Sequence, residues 1–397
     1  MIPITSTRSS FVSLAQAEAL LAEYGSPLYV YDRATLLTNL HRITQACPYT
    51  NKQFHFASVT NGNLALLQIV RAHGWGLHAN TPGDVVLGLK AGFAPAQIIY
   101  SGSNLQQDEM QWLLQQRIAA LNLDSVSQLE TLLAIKSDYH PRLGFRLNLP
   151  EIVGDNRIGV RTEELPHACQ LAVRAGLKIT GLHFYRGTGT NQTAKFTDSI
   201  ARVIEVGQTL PDWEYLDFGG GFGYPYRAGQ TGFSWEDFGA ALAQQLTRLA
   251  RPIKLIIEPG RAAIAQAGNL LARVVAVKWQ GEKQIVGLDT SVANIAVLSV
   301  HGGHREIVAL KTNESQTHQT DLVGNTTFSR DYLGRNCQLP EMQTGDKVAI
   351  LDVGAYGYAM ASNFLHRPRP AEVLIEEGAH RLIRERETYD ALLELQR

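Results

Sequence analysis

The stretch EYLDFGGGFG, residues 214–223, joins a short apolar run to three consecutive glycines. Its first half has the length and composition of a buried β-strand. The glycines allow backbone N–H groups to approach an anion closely, as binding of a phosphate requires. A tight turn without any ligand explains the same glycines equally well, so the motif alone leaves both interpretations open.

The same combination of a short apolar run and a polar or glycine-rich end recurs through the first two thirds of the chain. Segments with helical spacing separate most of these runs, for example residues 64–73 and 235–249. Eight such strand–helix units favour a closed parallel (β/α)8 TIM barrel, and an open doubly wound sheet is the alternative. The predicted barrel strands are residues 53–59, 76–80, 97–101, 118–124, 143–149, 179–185, 214–218 and 254–258.

The pattern changes after Arg261, where strand-like runs follow one another without regular helices between them. This pattern predicts an antiparallel C-terminal β domain. Residues 27–31 also resemble a strand, and we expect this strand to pair with the β domain. The predicted division is an N-terminal segment (1–35), a barrel (36–262) and a β domain (263–397).

Composition excludes several classes of function. The 397 residues carry a net charge of −1 with acids and bases interspersed, which argues against binding to nucleic acid or to an anionic membrane. No apolar run is long enough to span a bilayer, and the N-terminus lacks a signal-peptide core. Three widely separated cysteines form no metal motif. We therefore expect a cytoplasmic protein without a metal site.

Polar residues follow several of the predicted strands, where a barrel collects its catalytic groups. Glu258 and Arg261 in EPGR could hold a cationic ring nitrogen and a phosphate, although such a pair by itself is more often a structural salt bridge. The sequence HFYRGTGT, residues 183–190, offers an aromatic face and hydroxyl groups, or merely a polar loop. Tyr356 in GAYGYAM could reach into a neighbouring site, or lie in a core.

Taken together and in this order, the motifs resemble the fold-type III pyridoxal-phosphate decarboxylases, the diaminopimelate, ornithine and arginine decarboxylase group. The resemblance extends over nearly the whole chain and implies an alanine-racemase-type barrel with a C-terminal β domain. The matching stretches are SPLYVYD, FASVTN, GLHANTPGDVVLGLKAGF, IIYSGS, GLHFYRGT, LDFGGGFGYPY, IIEPGRAAIAQAGNLLARVVAVK and LDVGAYGYAMASNFLHRPRPAEVLI.

The resemblance implies pyridoxal 5′-phosphate as the cofactor and assigns roles to individual residues. Glu258 would pair with the pyridine nitrogen, and Tyr185 would stack on the ring where the family usually has a histidine. Arg146 and Asp84 would lie in the layer around the ring. A homodimer with shared active sites is implied, with the loop 324–334 as one shared element. The residues implied to bind the phosphate are Thr188, Gly219, Gly220, Gly221, Arg261 and Tyr356.

The first departure from the family concerns the lysine that binds the cofactor covalently. The family pattern YAVKAN aligns with FASVTN through Ala57 and Asn61, which places Val59 at the lysine position. Lys52 precedes the strand, about 20 Å from its other end at ~3.3 Å per residue. We therefore predict that the cofactor is held non-covalently.

Further departures concern the substrate. In the family's CESGD loop, Thr327 replaces the cysteine near the substrate Cα, and Phe328 replaces the glutamate that recognises a distal amine. Asp331 is retained and could bind an amine, while Arg330 adds a cation that favours an acidic ligand. The family positions that bind a substrate carboxylate align in this chain with Val297, Leu298 and His301. These changes argue against diaminopimelate as the substrate.

Three functions remain open. The first is an atypical decarboxylase-family enzyme acting on an amino acid or amine, with Thr327, Asp331, Tyr185 and Arg146 as candidate catalytic residues and Arg330, Phe328 and Asp84 as candidate substrate-binding residues. The second is a catalytically silent binding protein or a regulator of an active decarboxylase. The third, chemistry without this cofactor, conflicts with retention of Glu258 and of the glycine turn. We favour the first.

Overall fold

The computed structural model describes residues 9–300, 303–311 and 316–397. The chain forms two compact units. The barrel unit comprises Leu37–Tyr224 and Gly232–Ala263, and the β unit comprises Met1–Leu36, Pro225–Thr231 and Ile264–Arg397. The first described elements are α1 (Leu14–Tyr24), β1 (Leu28–Asp32) and α2 (Arg33–Ala46).

Eight parallel strands close the barrel in chain order, which confirms the predicted (β/α)8 architecture. Each observed strand overlaps its predicted counterpart but ends one or two residues earlier, because the last predicted residues turn out of the ladder. The strands are β2 (Lys52–Ala57), β3 (Gly76–Ala79), β4 (Ile98–Tyr100), β5 (Ala120–Leu123), β6 (Arg142–Leu147), β7 (Ile179–Phe184), β8 (Tyr215–Asp217) and β9 (Lys254–Ile257).

The helices of the barrel unit begin at residues that cap exposed backbone N–H groups. Asn63, Ser125 and Ser234 each accept a hydrogen bond from the first turn of the helix that follows. None of the described helices is long and apolar enough to cross a membrane. The helices are α3 (Leu64–Ala72), α4 (Pro82–Lys90), α5 (Gln107–Gln115), α6 (Val126–Leu133), α7 (Pro150–Val153), α8 (Leu165–Arg174), α9 (Thr193–Gln208), α10 (Trp235–Leu246) and α11 (Arg261–Ile264).

The barrel interior is filled around Tyr215, which is fully buried. Its hydroxyl donates a hydrogen bond to Asn122 Oδ1 over 2.8 Å. The ring occupies space left by two glycines of neighbouring strands. A Cβ at Gly181 would lie 1.8 Å from the ring, and one at Gly144 would lie 2.4 Å from the hydroxyl. The interior is therefore a packed core that supports the open C-terminal end of the barrel.

Nine strands among the described residues of the β unit form one mostly antiparallel sheet, which confirms the predicted antiparallel β domain. The expected pairing of the N-terminal strand is also confirmed, because β1 runs antiparallel to β10 and parallel to β16. Strands β13, β14 and β17 were not predicted. The strands are β10 (Gly268–Gln280), β11 (Lys283–Leu288), β12 (Ile307–Ala309), β13 (His318–Val323), β14 (Tyr332–Leu339), β15 (Lys347–Ile350), β16 (Ala371–Glu376) and β17 (Ala379–Arg384); the helices are α12 (Val297–Val300) and α13 (Tyr389–Leu393).

Candidate active site

A buried cluster of two histidines and two acids lies at the C-terminal end of the barrel. His78, His183 and Asp217 come from β3, β7 and β8, and Glu258 immediately follows β9. All four are at most 5% exposed. Glu258 lies between the imidazoles, with Oε1 3.3 Å from His78 Nε2 and Oε2 3.5 Å from His183 Nε2. The two rings are nearly parallel, with centroids 6.4 Å apart.

Burial governs the protonation of this cluster. It raises the pKa of Glu258 to about 7 and the pKa of Asp217 well above its usual range, since each carboxylate is costly to ionise away from water. The Glu258 charge adds to the rise for Asp217. Burial also lowers the pKa of His183 to about 4 and the pKa of His78 well below its usual value. Both imidazoles are therefore neutral at pH 7.

Several polar atoms of the cluster lack hydrogen-bond partners among the described residues. They are both ring nitrogens of His78, both of His183, and Oε1 of Glu258. An unsatisfied buried polar atom typically costs about 1–3 kcal/mol, so the site is suited to a ligand with matching polar groups. His183, Asp217 and Glu258 also present donor atoms within 4.8 Å of one another, a set that could bind a metal ion. The absence of a metal site stays a prediction.

The glycine turn after β8 lies beside this cluster. Gly219 and Gly221 adopt φ values of 62° and 96°, which favour glycine. A Cβ at Gly221 would lie 2.0 Å from the carbonyl oxygen of Gly187, and one at Gly220 would lie 2.8 Å from that of Glu258. The turn therefore packs backbone against backbone, and side chains are excluded from all three positions.

The loop after β7 contributes polar groups near the glycine turn. Tyr185 Oη lies 3.0 Å from Thr188 Oγ1, and the guanidinium of Arg146 lies 5.0 Å from the centroid of the Tyr185 ring. Burial lowers the pKa of Arg146, an effect that Tyr185 and Glu258 oppose. Arg261 reaches the same loop, with Nε 3.5 Å from the position of a Cβ on Gly189. The residues of the barrel unit that are predicted to bind the phosphate therefore lie near one another.

Val59 lies in the 3-10 turn Ser58–Thr60 that follows β2 and is 45% exposed. Lys52 begins the same strand, at the opposite end of the barrel, where Nζ donates to the Cys47 carbonyl. Of the six lysines in the barrel unit, only Lys195, in the first turn of α9, follows the C-terminal end of a strand. It is exposed. The others, all at strand starts or helix ends, are Lys52, Lys90, Lys136, Lys178 and Lys254.

Asp84 caps the helix that follows β3, and its place in the layer around the ring stays a prediction. Its Oδ2 accepts hydrogen bonds from the backbone N–H groups of Asn80 and Thr81 and from the Thr81 hydroxyl. These bonds form a capping box at the start of α4. The carboxylate is therefore engaged in shaping the loop after β3.

Asp331 makes hydrogen bonds within its own loop, and the expectation that it binds an amine stays a prediction. It is 3% exposed, and its carboxylate accepts hydrogen bonds from Val292 N and the Thr326 hydroxyl. Thr327, Phe328 and Arg330 are exposed on this loop. The Phe328 ring packs edge-on against Phe364, with centroids 5.5 Å apart. Asp331 thus holds this loop in place, and the residues that precede it in the loop are exposed to solvent.

Arg330 lines a cavity of about 1010 Å³ in the β unit, which sequence reasoning missed. Arg305 in its wall is 3% exposed and lies 3.6 Å from the centroid of the Tyr226 ring. Val297 is buried, and His301 lies outside the described residues. Tyr356 also belongs to the β unit, with a φ of 58°. Basic residues predominate in the cavity wall: Arg227, His304, Arg305, Lys311, Arg330 and Arg335, against one acid, Glu306.

Sequence reasoning identified Glu258 but missed its neighbours in the cluster. The spacing of His78 and His183 forms no recognisable motif, and Asp217 lies within the predicted strand 214–218. The available signal was position, because each lies within two residues of the end of a predicted barrel strand. Parallel strands of one barrel place such residues in a single layer.

Comparison with known proteins gives a consistent result. The family model "Pyridoxal-dependent decarboxylase, pyridoxal binding domain" matches residues 33–265. The chain is 33% identical to a diaminopimelate decarboxylase of Methanothermobacter thermautotrophicus, over 96% of this chain and 93% of that protein. It is 28% identical to one of Aquifex aeolicus, over 97% and 94%. The crystal structure of diaminopimelate decarboxylase from Helicobacter pylori, complexed with L-lysine, has a TM-score of 0.88 and 27% identity, over 96% and 98%.

Proposed function

Because this chain belongs to the pyridoxal-dependent decarboxylase family, we propose that it binds pyridoxal 5′-phosphate without a covalent lysine bond and acts on an amino acid or amine. One observation carries the non-covalent part of the proposal. Val59 occupies the turn after β2, while Lys52 of the same strand lies at the opposite end of the barrel.

The residues at the C-terminal end of the barrel fit this cofactor. Glu258 offers a buried carboxylate oxygen that has no hydrogen-bond partner among the described residues, and a protonated ring nitrogen would satisfy it. Gly219–221, Thr188 and Arg261 would hold the phosphate through backbone N–H groups, a hydroxyl and a guanidinium. Tyr185 would face the ring, with Arg146 behind it. Tyr356 of the β unit stays a candidate phosphate ligand.

When bound, pyridoxal phosphate supplies an electron sink for the carbanion that decarboxylation generates. Glu258 would keep a proton at the ring nitrogen, since an ionised carboxylate is stable in this buried position only beside a cation. The imidazoles of His78 and His183 flank the carboxylate and limit the access of water. Arg146 would contribute positive charge in the layer around the ring, where its guanidinium lies 5.0 Å from the centroid of the Tyr185 ring.

The substrate is proposed to carry an acidic group and to differ from diaminopimelate. Phe328 is an apolar residue where the family recognises a distal amine, and Arg330 lines a cavity with mostly basic walls. Thr327 would act near the substrate Cα where the family has cysteine. Asp331 and Asp84 stay candidates, although their carboxylates also accept local hydrogen bonds.

A homodimer located in the cytoplasm is part of the proposal, because the family resemblance implies shared active sites. Thr327, Phe328 and Arg330 are exposed on one loop of the β unit, as residues that complete a partner's site would be. The assembly is testable by sedimentation, as set out below.

Cofactor binding is tested by incubating the purified protein with pyridoxal phosphate or with pyridoxal, desalting it, and measuring the absorbance that it retains. We expect retention of pyridoxal phosphate by the wild-type protein. Glu258→Gln should weaken retention at least tenfold, and Arg261→Gln should remove the preference for the phosphorylated form. Lys195→Ala is the matched control and should bind normally. Failure of the wild-type protein to retain pyridoxal phosphate would contradict the proposal.

Catalysis is tested by measuring carbon dioxide release from a panel of amino acids with the cofactor-loaded protein. The panel should include diaminopimelate, the substrate named in its relatives, together with lysine, ornithine, aspartate and glutamate. We expect release from an acidic amino acid, reduced by Arg330→Ala. Tight cofactor binding with no release from any amine would instead favour the second function, a catalytically silent binding protein, which the lysine-free site also permits.

A further inference from the structure

Asp217 has no part in the proposed function, yet its side chain makes a hydrogen bond with that of Glu258. Both carboxyl groups are buried, at 0% and 2% exposed. Among the described residues, the only basic side chains within 4.0 Å of either one are His78 and His183, which are neutral at pH 7. Two ionised carboxylates cannot lie side by side in such a site without a cation to offset them, so the pair retains a proton.

The surroundings of the two carboxyl groups favour Asp217 as the one that keeps this proton. Glu258 has Oε1 without a hydrogen-bond partner among the described residues, and the positive charge of Arg146 favours its ionised form. Asp217 is enclosed, with Oδ1 accepting from the Gly219 N–H over 3.0 Å and Oδ2 accepting from Asn122 Nδ2 over 3.1 Å. The bond from Gly219 lowers the pKa of Asp217, but burial and the charge of Glu258 raise it by more.

We propose that Asp217 is a positioning residue that keeps a proton and donates it in a hydrogen bond to the Glu258 carboxylate. This inference rests on the proposed function, in which Glu258 faces the ring nitrogen. The pair then carries a single negative charge, which lies on Glu258 and matches a single ring cation. Asp217 also joins Glu258 to the glycine turn, because it binds the Gly219 N–H while the Glu258 N–H donates to the Gly219 carbonyl over 2.8 Å.

Asp217→Asn and Asp217→Leu separate this role from a merely structural one. An asparagine side chain is neutral, can donate to Glu258 and can still accept from the Gly219 N–H, whereas leucine has no polar atom. Asn122→Ala is the matched control, because it removes a hydrogen bond to the same carboxyl group and leaves the proton of Asp217 in place. A merely structural role predicts that any of these variants weakens ligands with and without a ring nitrogen alike.

The first measurement compares the dissociation constants of pyridoxal phosphate and of its 1-deaza analogue, in which a C–H group replaces the ring nitrogen. We expect wild type to prefer pyridoxal phosphate at least about tenfold, because the analogue cannot make the charged hydrogen bond to Glu258. Asp217→Asn and Asn122→Ala should keep this ratio within about threefold of the wild-type value. Asp217→Leu should reduce the ratio to below about threefold, because Glu258 then keeps the proton itself.

The second measurement needs no ligand. At pH 9 Glu258, with its pKa of about 7, is ionised. The infrared difference spectrum of wild type minus Asp217→Asn should then contain the carbonyl band of a protonated carboxylic acid. The other titratable groups around the pair do not contribute to this band; they are His78, His183, Arg146 and Tyr215.

Absence of the carbonyl band would overturn the proposal, and so would loss of the ratio in Asp217→Asn or its preservation in Asp217→Leu. An equal loss of the ratio in Asn122→Ala would also overturn it, since that variant retains the proton. Failure of wild type to bind either ligand would contradict the proposed function, whereas the infrared spectrum would still decide whether Asp217 keeps a proton.

Discussion

At the scale of single residues, the site is defined by a carboxylate that burial keeps close to protonation. Glu258 has a pKa of about 7 without a ligand. A ligand cation beside it would favour the charged form, as an opposite charge at short range always does. The buried cluster would therefore favour a ligand that brings a cation to Glu258, and ionising Glu258 without such a ligand has a cost in stability.

This cost predicts a dependence of stability on pH. In the unfolded chain Glu258 ionises near its ordinary pKa of 4.5, whereas in the folded protein its pKa is about 7. The stabilisation is therefore complete below pH 4.5 and is lost as the pH rises through about 7. Urea unfolding of the ligand-free protein should show wild type losing about 2 kcal/mol more than Glu258→Gln between pH 5 and pH 8.

Wild type and the Glu258→Gln variant contain the same other titratable side chains of the buried cluster. The neutral histidines contribute in the opposite direction, losing stability as the pH falls below 6.5. The difference between wild type and Glu258→Gln therefore reports the Glu258 carboxylate together with its effect on Asp217, whose pKa the Glu258 charge raises. Identical pH profiles for the two proteins would show that Glu258 is not protonated in the ligand-free fold.

At the scale of elements, the barrel strands depend on glycines that make room for a large interior side chain. Gly181→Ala would place a Cβ 1.8 Å from the Tyr215 ring, which is fully buried and cannot move aside. We expect a loss of at least about 2 kcal/mol in the free energy of unfolding, measured by urea titration.

Gly83→Ala is the control for that substitution. A Cβ there would have only an ordinary contact, 3.6 Å from the Thr81 hydroxyl, and the residue lies in a helix. It should leave stability unchanged or raise it by up to about 1 kcal/mol. Equal stability of the two variants would mean that the interior is less tightly packed than the distances imply.

The same elements show what could be predicted from the sequence. Apolar runs separated by helical segments were sufficient to predict the barrel, because each barrel strand contains a run of buried residues. Strand β17 was missed because most of its side chains are exposed, so it lacks an apolar pattern. The clustering of His78, His183 and Asp217 could not be derived from spacing, since it depends on strand register, such as His183 opposite Asp217.

At the scale of the whole molecule, the resemblance implies a homodimer that shares its active sites. Sedimentation velocity at micromolar concentration should therefore show a species of twice the chain mass of 43.7 kDa. A monomer would contradict the proposed contributions of Thr327 and Arg330 to a partner's site. Pairing only with an active relative would appear as a monomer that dimerises when that relative is added.

The central claim is that this protein holds its cofactor without a lysine bond. The most direct measurement is borohydride reduction in the presence of pyridoxal phosphate, followed by intact-mass spectrometry, on wild type and Val59→Lys. We expect the wild-type protein to retain the cofactor before reduction and to gain no covalent mass. Val59→Lys should gain the mass of one reduced cofactor. A stoichiometric adduct on a wild-type lysine, with Lys195 the first to examine, would contradict the account.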